Sequence, residues 1–391
     1  MKIKRIICLV LCLIMSVFAL ASCEEDIISE AEKEKDRINY TPTVLEEVDL
    51  TLYIITEGDI ANSTTGTVED KIQQYLNDRT NKNFNTTLNI KFCKAADYEA
   101  TIADKNDGIV LINSLAMLES MVASEKLADL NGYFTDEALI KKYGFATLNA
   151  SFNKTNPHLL EVARDKVTVG EGESATVEDR LYFVPNNRVM GTYDYILINR
   201  NIVCELLNYN EDQLSAAINS EESFNSFKAE LQGVIDANAS KLPVTSADEV
   251  IKVVTGKMYE DRFSYAEDGY ICNILSYPVI TKAEVAESGF GVLSGTENVS
   301  AAMEIIYLFN SDVKMRNLLL YGVENIHFDI VDGVVVPEKT ELVYKMALEY
   351  TGDVFKAYFC NDSTRDVWTE EIMNNGLKQN LESKSSVGAT D

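Results

Sequence analysis

Between residues 48 and 125 the hydrophobic positions switch period several times. DLTLYIIT reads as a strand, and TVEDKIQQYLND then places Val68, Ile72, Tyr75 and Leu76 at i, i+4, i+7 and i+8, one face of a helix opened by Thr67. TTLNIKF alternates as a second strand, AADYEATIA reads as a short helix, DGIVLI is a third and fully apolar strand, and Ser114 is placed to cap the helix LAMLESMVA. This β-α-β-α-β order predicts a parallel sheet with right-handed crossovers. A ligand on such a sheet gathers outside the carboxyl ends of the strands, here Thr56-Glu57, Cys93-Lys94 and Asn113-Ser114.

Beyond residue 127 the pattern is mixed. Helical material is expected around ATLNASF and PHLLEVARDKV, and VGEGESATVEDR reads as a loop. LYFVPNNRVMGTYDYILIN, residues 181–199, is two apolar runs parted by a polar, glycine-containing break. Phe224, Phe227, Leu231 and Ile235 mark a helical face, EVIKVVTGKMY is a second helix candidate, and YICNILSYPVIT is extended up to Pro278. GFGVLSG reads as a strand and VSAAMEIIYLFN as a helix; the next helix, SDVKMRNLLLYG, has Ser311 as its cap and Gly322 as its stop. HFDIVDGVVVP is a hairpin turned at Asp332-Gly333, and residues 342–381 read as an aromatic-rich helical tail.

The N-terminus is a targeting segment: Lys2, Lys4 and Arg5 precede an apolar run from Ile6 to Leu20. It ends in Leu20-Ala21-Ser22-Cys23, which resembles the bacterial lipobox, in which the cysteine receives a diacylglyceryl group and becomes the mature N-terminus. Residues 23–46 then read as a charged tether, so the expectation is a domain lipid-anchored at Cys23 on the outer face of the cell membrane. Without residues 1–22, which hold 3 of the 35 basic and none of the 62 acidic residues, the net charge is −30. That balance excludes nucleic acid and disfavours polyanions; a neutral or cationic ligand fits better. Cys93, Cys204, Cys272 and Cys360 contain no CxxC pair, which argues against zinc, and are compatible with two disulfides or, the favoured reading, free buried thiols. Two isolated histidines make neither a metal cage nor a triad, so no metal and no cofactor are expected. GxSxG, HExxH and the phosphate-loop pattern are absent, so an enzyme is not expected; a surface glycoside hydrolase is the alternative, because 62 carboxylates always allow a pair.

GFGVLSGTENVSAAMEIIYLFNSDVKMRNLLLYGVENIHF, with Tyr321-Gly322-Val323-Glu324 closing its second helix, resembles the extracellular solute-binding proteins of bacterial ABC importers. TGDVFKAYF and the W-x9-K-x-N set of Trp368, Lys378 and Asn380 resemble the carbohydrate-associated lipoprotein branch of Gram-positive bacteria. With ADLNGYF, RLYFVPNN and SFNSFKAELQGV, the resemblance touches most of residues 48–381. It implies an α/β, two-lobed periplasmic-binding-protein-like fold of type II, each lobe a mainly parallel sheet flanked by helices, closing by hinge motion. Residues 47–183 plus 289–325 are expected as the first lobe and 184–288 plus 326–385 as the second, with the stretch from Asn201 to Gly289 short for this branch. The implied function is capture of a sugar or oligosaccharide and its delivery to an ABC permease by a monomer; sensing or adhesion on the same scaffold is the remaining alternative.

A sugar offers hydroxyls and apolar C–H faces, so its site needs polar side chains and aromatic rings. Candidates are Glu57, Asn113 and Ser114 at strand ends, and Asn186, Asn187 and Arg188 in the break after Pro185. Tyr193 begins the next strand, Tyr277 lies where the chain crosses back, and Trp368 is the only indole, equally readable as core.

Overall fold

The protein is described by a computed structural model covering residues 47–57, 60, 62–79, 86–170, 175–259, 261–337, 344–361 and 367–387. The targeting segment, Cys23 and the charged stretch to residue 46 lie outside the described residues.

Strand β1 (Val48–Thr56), helix α1 (Asn62–Arg79), β2 (Thr86–Lys94), α2 (Ala95–Ile102), β3 (Ile109–Ile112) and α3 (Leu115–Ala123) reproduce the alternation read from the sequence. β1 runs parallel to β2 from Val48↔Thr86 to Thr56↔Lys94, and parallel to β3 at Leu52↔Ile109. All four β3 residues are buried, which is why its apolar run has no alternation. Helices between Gly132 and Ala163 lead to a hairpin of β4 (Asp165–Val169) and β5 (Thr176–Arg180), paired from Asp165↔Arg180 to Val169↔Thr176, where a loop was expected.

After β6 (Val184–Pro185) the chain leaves the first sheet and forms β7 (Tyr193–Asn199), α4 (Glu211–Ala217), α5 (Glu221–Ala237), β8 (Ile251–Gly256), α6 (Asp261–Glu267) and β9 (Tyr270–Ser276). It returns through β10 (Val279–Ile280) and α7 (Lys282–Val285) to β11 (Gly289–Val292). β11 enters the main sheet antiparallel to both β3 and β6, giving the order β2-β1-β3-β11-β6. Helices α8 (Val299–Ser311) and α9 (Val313–Tyr321) pack on it; Asp312, not Ser311, caps α9 by accepting from Met315 N, and Gly322 ends it as expected. The hairpin β12 (Phe328–Val331) and β13 (Val334–Pro337) turns at Asp332-Gly333, both at positive φ, and β13 also pairs with β14 (Phe359–Cys360). The chain closes with α10 (Glu370–Glu382) and β15 (Lys384–Ser385).

The second lobe differs from expectation. Its sheet, ordered β8-β7-β9, has three strands and is antiparallel throughout rather than mainly parallel. EVIKVVTGKMY, expected as a helix, supplies β8: its Val, Val, Thr run is β-branched and pairs with β7 at Ile196↔Val253. β7 alternates faces, so Ile196 and Ile198 meet Phe227, Leu231 and Ile235, while Tyr193, Tyr195 and Leu197 form the other face with Tyr259 and Tyr265. Phe328, Val335, Tyr344, Leu348 and Cys360, expected in the second lobe, belong to the large core instead. Residues 344–356, expected as helix, bury Tyr344, Met346 and Leu348 at period two before two short 3-10 turns parted by Gly352 at φ +116. Cys93, Cys204, Cys272 and Cys360 are free thiols.

Candidate functional site

A cleft of about 720 Å³ opens at the carboxyl ends of β1 and β3, with Thr56, Glu57 and Asn113 on the sheet side and Glu349 and Tyr350 facing them. The facing residues belong to a strap, residues 344–354, laid over the strand ends. Glu57 N donates to Lys345 O at 3.1 Å, and the Lys345 ammonium meets the Glu57 carboxylate at 2.9 Å.

The strap is held from behind by buried donors. Arg316, fully buried, donates from Nε to Asp353 O at 3.0 Å and from Nη2 to Leu348 O at 2.8 Å. Burial lowers its guanidinium pKa to about 10, and burial likewise raises the neighbouring Asp353 carboxyl to about 6. Asn186 Nδ2 and Ser288 Oγ both donate to Glu349 O, at 3.1 and 2.6 Å, and Val354 N donates to Asn187 O at 2.8 Å. The backbone around Glu349 and Tyr350 is therefore fixed by four hydrogen bonds from three side chains and one main-chain contact, a preorganised rim rather than a loose loop. Burial, then the nearby Glu349, Glu287 and Glu57, push the Tyr350 phenol up, so it stays a neutral donor and acceptor.

The nine positions singled out in the sequence separate into three groups. Glu57 and Asn113 line the cleft, and Asn113 Oδ1 is a buried acceptor with no partner among the described residues. Ser114 lies beside them but its hydroxyl accepts from Met117 N at 3.2 Å, the capping role. The break at Asn186, Asn187 and Arg188 was expected to present side chains to a ligand, and that expectation is corrected: Asn186 and Asn187 have no exposed surface. Asn187 Nδ2 bonds Thr155 Oγ1. Arg188, 7% exposed, donates to Glu284 O at 2.6 Å and to Glu287 at 2.5 Å, and reaches Glu349 only at 3.7 Å. These residues frame the cleft. The amide and guanidinium N–H groups of the stretch donate to neighbouring segments, while Asn186 Oδ1, Asn187 Oδ1 and Arg188 Nε stay buried with no partner among the described residues.

Tyr193 is buried, lies 5.6 Å from Tyr195 in a stacked pair, and donates to Glu382 at 2.9 Å; burial, then that carboxylate, raise its phenol pKa. It is a core residue of the second lobe. Tyr277 is 47% exposed with its ring 6.2 Å from Tyr193, on the return crossing and outside the cleft lining. Trp368 is buried against Phe355 at 5.8 Å, with its backbone paired to Cys360, so the core reading holds and stacking on a ligand in this cleft does not. Sequence reasoning missed Lys345, Glu349 and Tyr350 because their stretch was read as helix; the period-two burial of Tyr344, Met346 and Leu348 was the available signal.

The passage between lobes is tied down by α10. Gln379, fully buried, donates to Gly191 O at 2.7 Å, Lys257 O at 3.0 Å and Met190 O at 3.1 Å. Asn380 donates to Arg188 O at 2.8 Å and accepts from Met190 N at 3.0 Å. β15 pairs in parallel with β10 on the return crossing, and Gly191, at φ +74, lets the two crossings touch, because a Cβ there would sit 2.4 Å from Pro278 Cβ. The outgoing crossing and the second-lobe loop at Lys257 therefore meet α10, and the return crossing meets β15 directly after it.

Neither a family model nor a curated protein sequence matches the chain. Among solved structures it is similar to the N-glycan transport solute-binding protein NgtS from Streptococcus pneumoniae, at TM-score 0.50 and 14% identity over 87% of this chain and 84% of that one. It is also similar to an extracellular solute-binding protein from Bifidobacterium longum subsp. infantis, at TM-score 0.43 and 13% identity over 87% and 82% of the two chains. Identity at this level speaks for the fold alone. With a main sheet interrupted by one antiparallel strand, two crossings and a cleft at the strand ends, this chain has the two-lobed α/β fold of the solute-binding proteins of ABC importers.

Proposed function

We propose that this protein captures a sugar or oligosaccharide in its strand-end cleft and presents it to an ABC permease, anchored outside the cell membrane by lipid on Cys23. The observation that carries the reading is the composition of the cleft. It places one aromatic ring, Tyr350, among two carboxylates and an amide with a free acceptor, on a rim held rigid from behind. A ring supplies the surface on which a sugar's C–H face packs, and the carboxylates and amide orient its hydroxyls. NgtS, which shares the fold, is an N-glycan transport protein, and an N-glycan is a saccharide of the class proposed here. Two carboxylates in one cleft also meet the first requirement of a glycoside hydrolase, but one of them, Glu57, is already engaged in an ion pair with Lys345.

Isothermal titration of the mature domain with neutral oligosaccharides tests the reading, with chromatography of the same mixtures for products. Saturable binding at constant saccharide supports capture. Turnover of a glycoside would replace it by hydrolysis, and failure of every saccharide alongside binding of a peptide would remove the sugar. Tyr350→Ala is expected to weaken a bound saccharide about tenfold, or ~1.4 kcal/mol, while the unliganded domain melts within a few degrees of wild type, because the ring is half-buried and the strap is held through its backbone.

A further inference from the structure

We infer that the cleft selects saccharides without acidic groups, neutral or amine-bearing, and rejects their uronate, sialylated and phosphorylated counterparts. The inference rests on the saccharide reading above and adds to it the charge class of the ligand.

The lining supplies acceptors in excess. Its two charged members, Glu57 and Glu349, are both carboxylates, and the unpartnered Asn113 Oδ1 is an acceptor as well. Thr56 already donates to Cys93 O at 3.2 Å, which leaves the Tyr350 phenol as the hydroxyl donor of the lining. A ligand there must bring donors, which hydroxyl and ammonium groups do and a carboxylate or phosphate does not.

Each of the two cations beside the cleft is already paired with an acid. Lys345 meets Glu57 at 2.9 Å, and Arg188, 7% exposed, meets Glu287 at 2.5 Å and Glu349 at 3.7 Å. Neither cation is part of the lining. Three carboxylates thus face two guanidinium or ammonium groups, so the charge beside the cleft is net negative. The effect on Tyr350 agrees: after burial, Glu349, Glu287 and Glu57 raise its phenol, and of the cations only Arg188 opposes them. With the mature chain at −30 overall, the long-range field acts in the same direction as the local one.

The test uses matched pairs on the mature protein: cellotetraose against its C6-oxidised uronate, Man5GlcNAc against its mannose 6-phosphate form, and N-acetyllactosamine against its sialylated form. In any pair that binds, the neutral member is expected to bind at least tenfold more tightly at low salt. That ratio should shrink in 0.5 M NaCl, as screening requires, and fall at least threefold in Glu349→Gln, an isosteric change at an exposed side chain whose backbone contacts remain. An acidic member that binds as well as or better than its neutral partner overturns this inference and leaves saccharide capture standing. Binding of no member of any pair removes the saccharide reading and this inference together. A neutral preference unchanged by salt and by Glu349→Gln also overturns it, since selection would then be steric.

Discussion

Gln379→Glu is the sharpest probe of how the lobes are joined. The change is isosteric, yet it replaces an amide that donates its two protons to the carbonyls of Gly191, Lys257 and Met190 by an acid, at a position without exposed surface. An ionised carboxylate would face three carbonyl oxygens, so the folded protein keeps the new side chain protonated. Holding a glutamate of ordinary pKa, about 4.3, protonated at pH 7 costs about 3.7 kcal/mol, at ~1.36 kcal/mol for each of about 2.7 units. The neutral acid offers one proton where the amide offered two, a further loss of about 1 kcal/mol. The expected penalty is about 4–5 kcal/mol at pH 7 and, with only about 0.7 units left to supply, about 2 kcal/mol at pH 5. Because the folded-state pKa lies above the unfolded one, the penalty relative to wild type grows as pH rises past about 4.3 and falls below it to the roughly 1 kcal/mol of the lost hydrogen bond. Asp353 titrates in both proteins and cancels in the difference. Urea denaturation of both proteins at pH 5 and pH 7 measures the penalty. A value under about 1 kcal/mol at pH 7, or the same value at both pH values, would refute the contact between α10 and the outgoing crossing.

Two further outcomes follow from buried positions. Asp353, fully buried with its pKa raised to about 6 by desolvation, contributes stability that is fully present below its unfolded value of 3.8 and is lost as pH rises through about 6. Asp353→Asn should therefore flatten the stability profile between pH 4 and pH 7, read by chemical denaturation at intervals across that window; an unchanged slope would count against a buried acid there. Gly191→Ala places a Cβ 2.4 Å from Pro278 Cβ at φ +74, and should cost about 2–3 kcal/mol in denaturant unfolding, while Gly233→Ala, whose added Cβ meets nothing within 4 Å in α5, should be neutral or stabilising.

Legibility followed the range of the forces. The β-α-β-α-β order of the first lobe was readable because each element buries one face or both within a few residues of its own sequence, and periodicity records that directly. It also pointed to strand ends, and two of the three residues proposed there, Glu57 and Asn113, do line the cleft. EVIKVVTGKMY was misread because its apolar spacing suits either period, and only pairing with β7 decides for a strand. The polar break at 186–188 stood out in the sequence but is buried: a polar residue is conspicuous in sequence whether it faces a ligand or donates to neighbouring segments inside the protein.

The sequence by itself determined the alternating strands and helices of residues 48–123 and the acid-rich character of the chain, and it displayed the polar break between two apolar runs at 181–199. Only the tertiary structure decided that residues 344–354 close the cleft, that Arg316, Asn186 and Ser288 hold them there, and that α10 fastens the outgoing crossing and β15 the return. Each of those choices is made by hydrogen bonds between residues roughly 30 to 190 positions apart, often to backbone carbonyls, which carry no side-chain identity for a sequence to display.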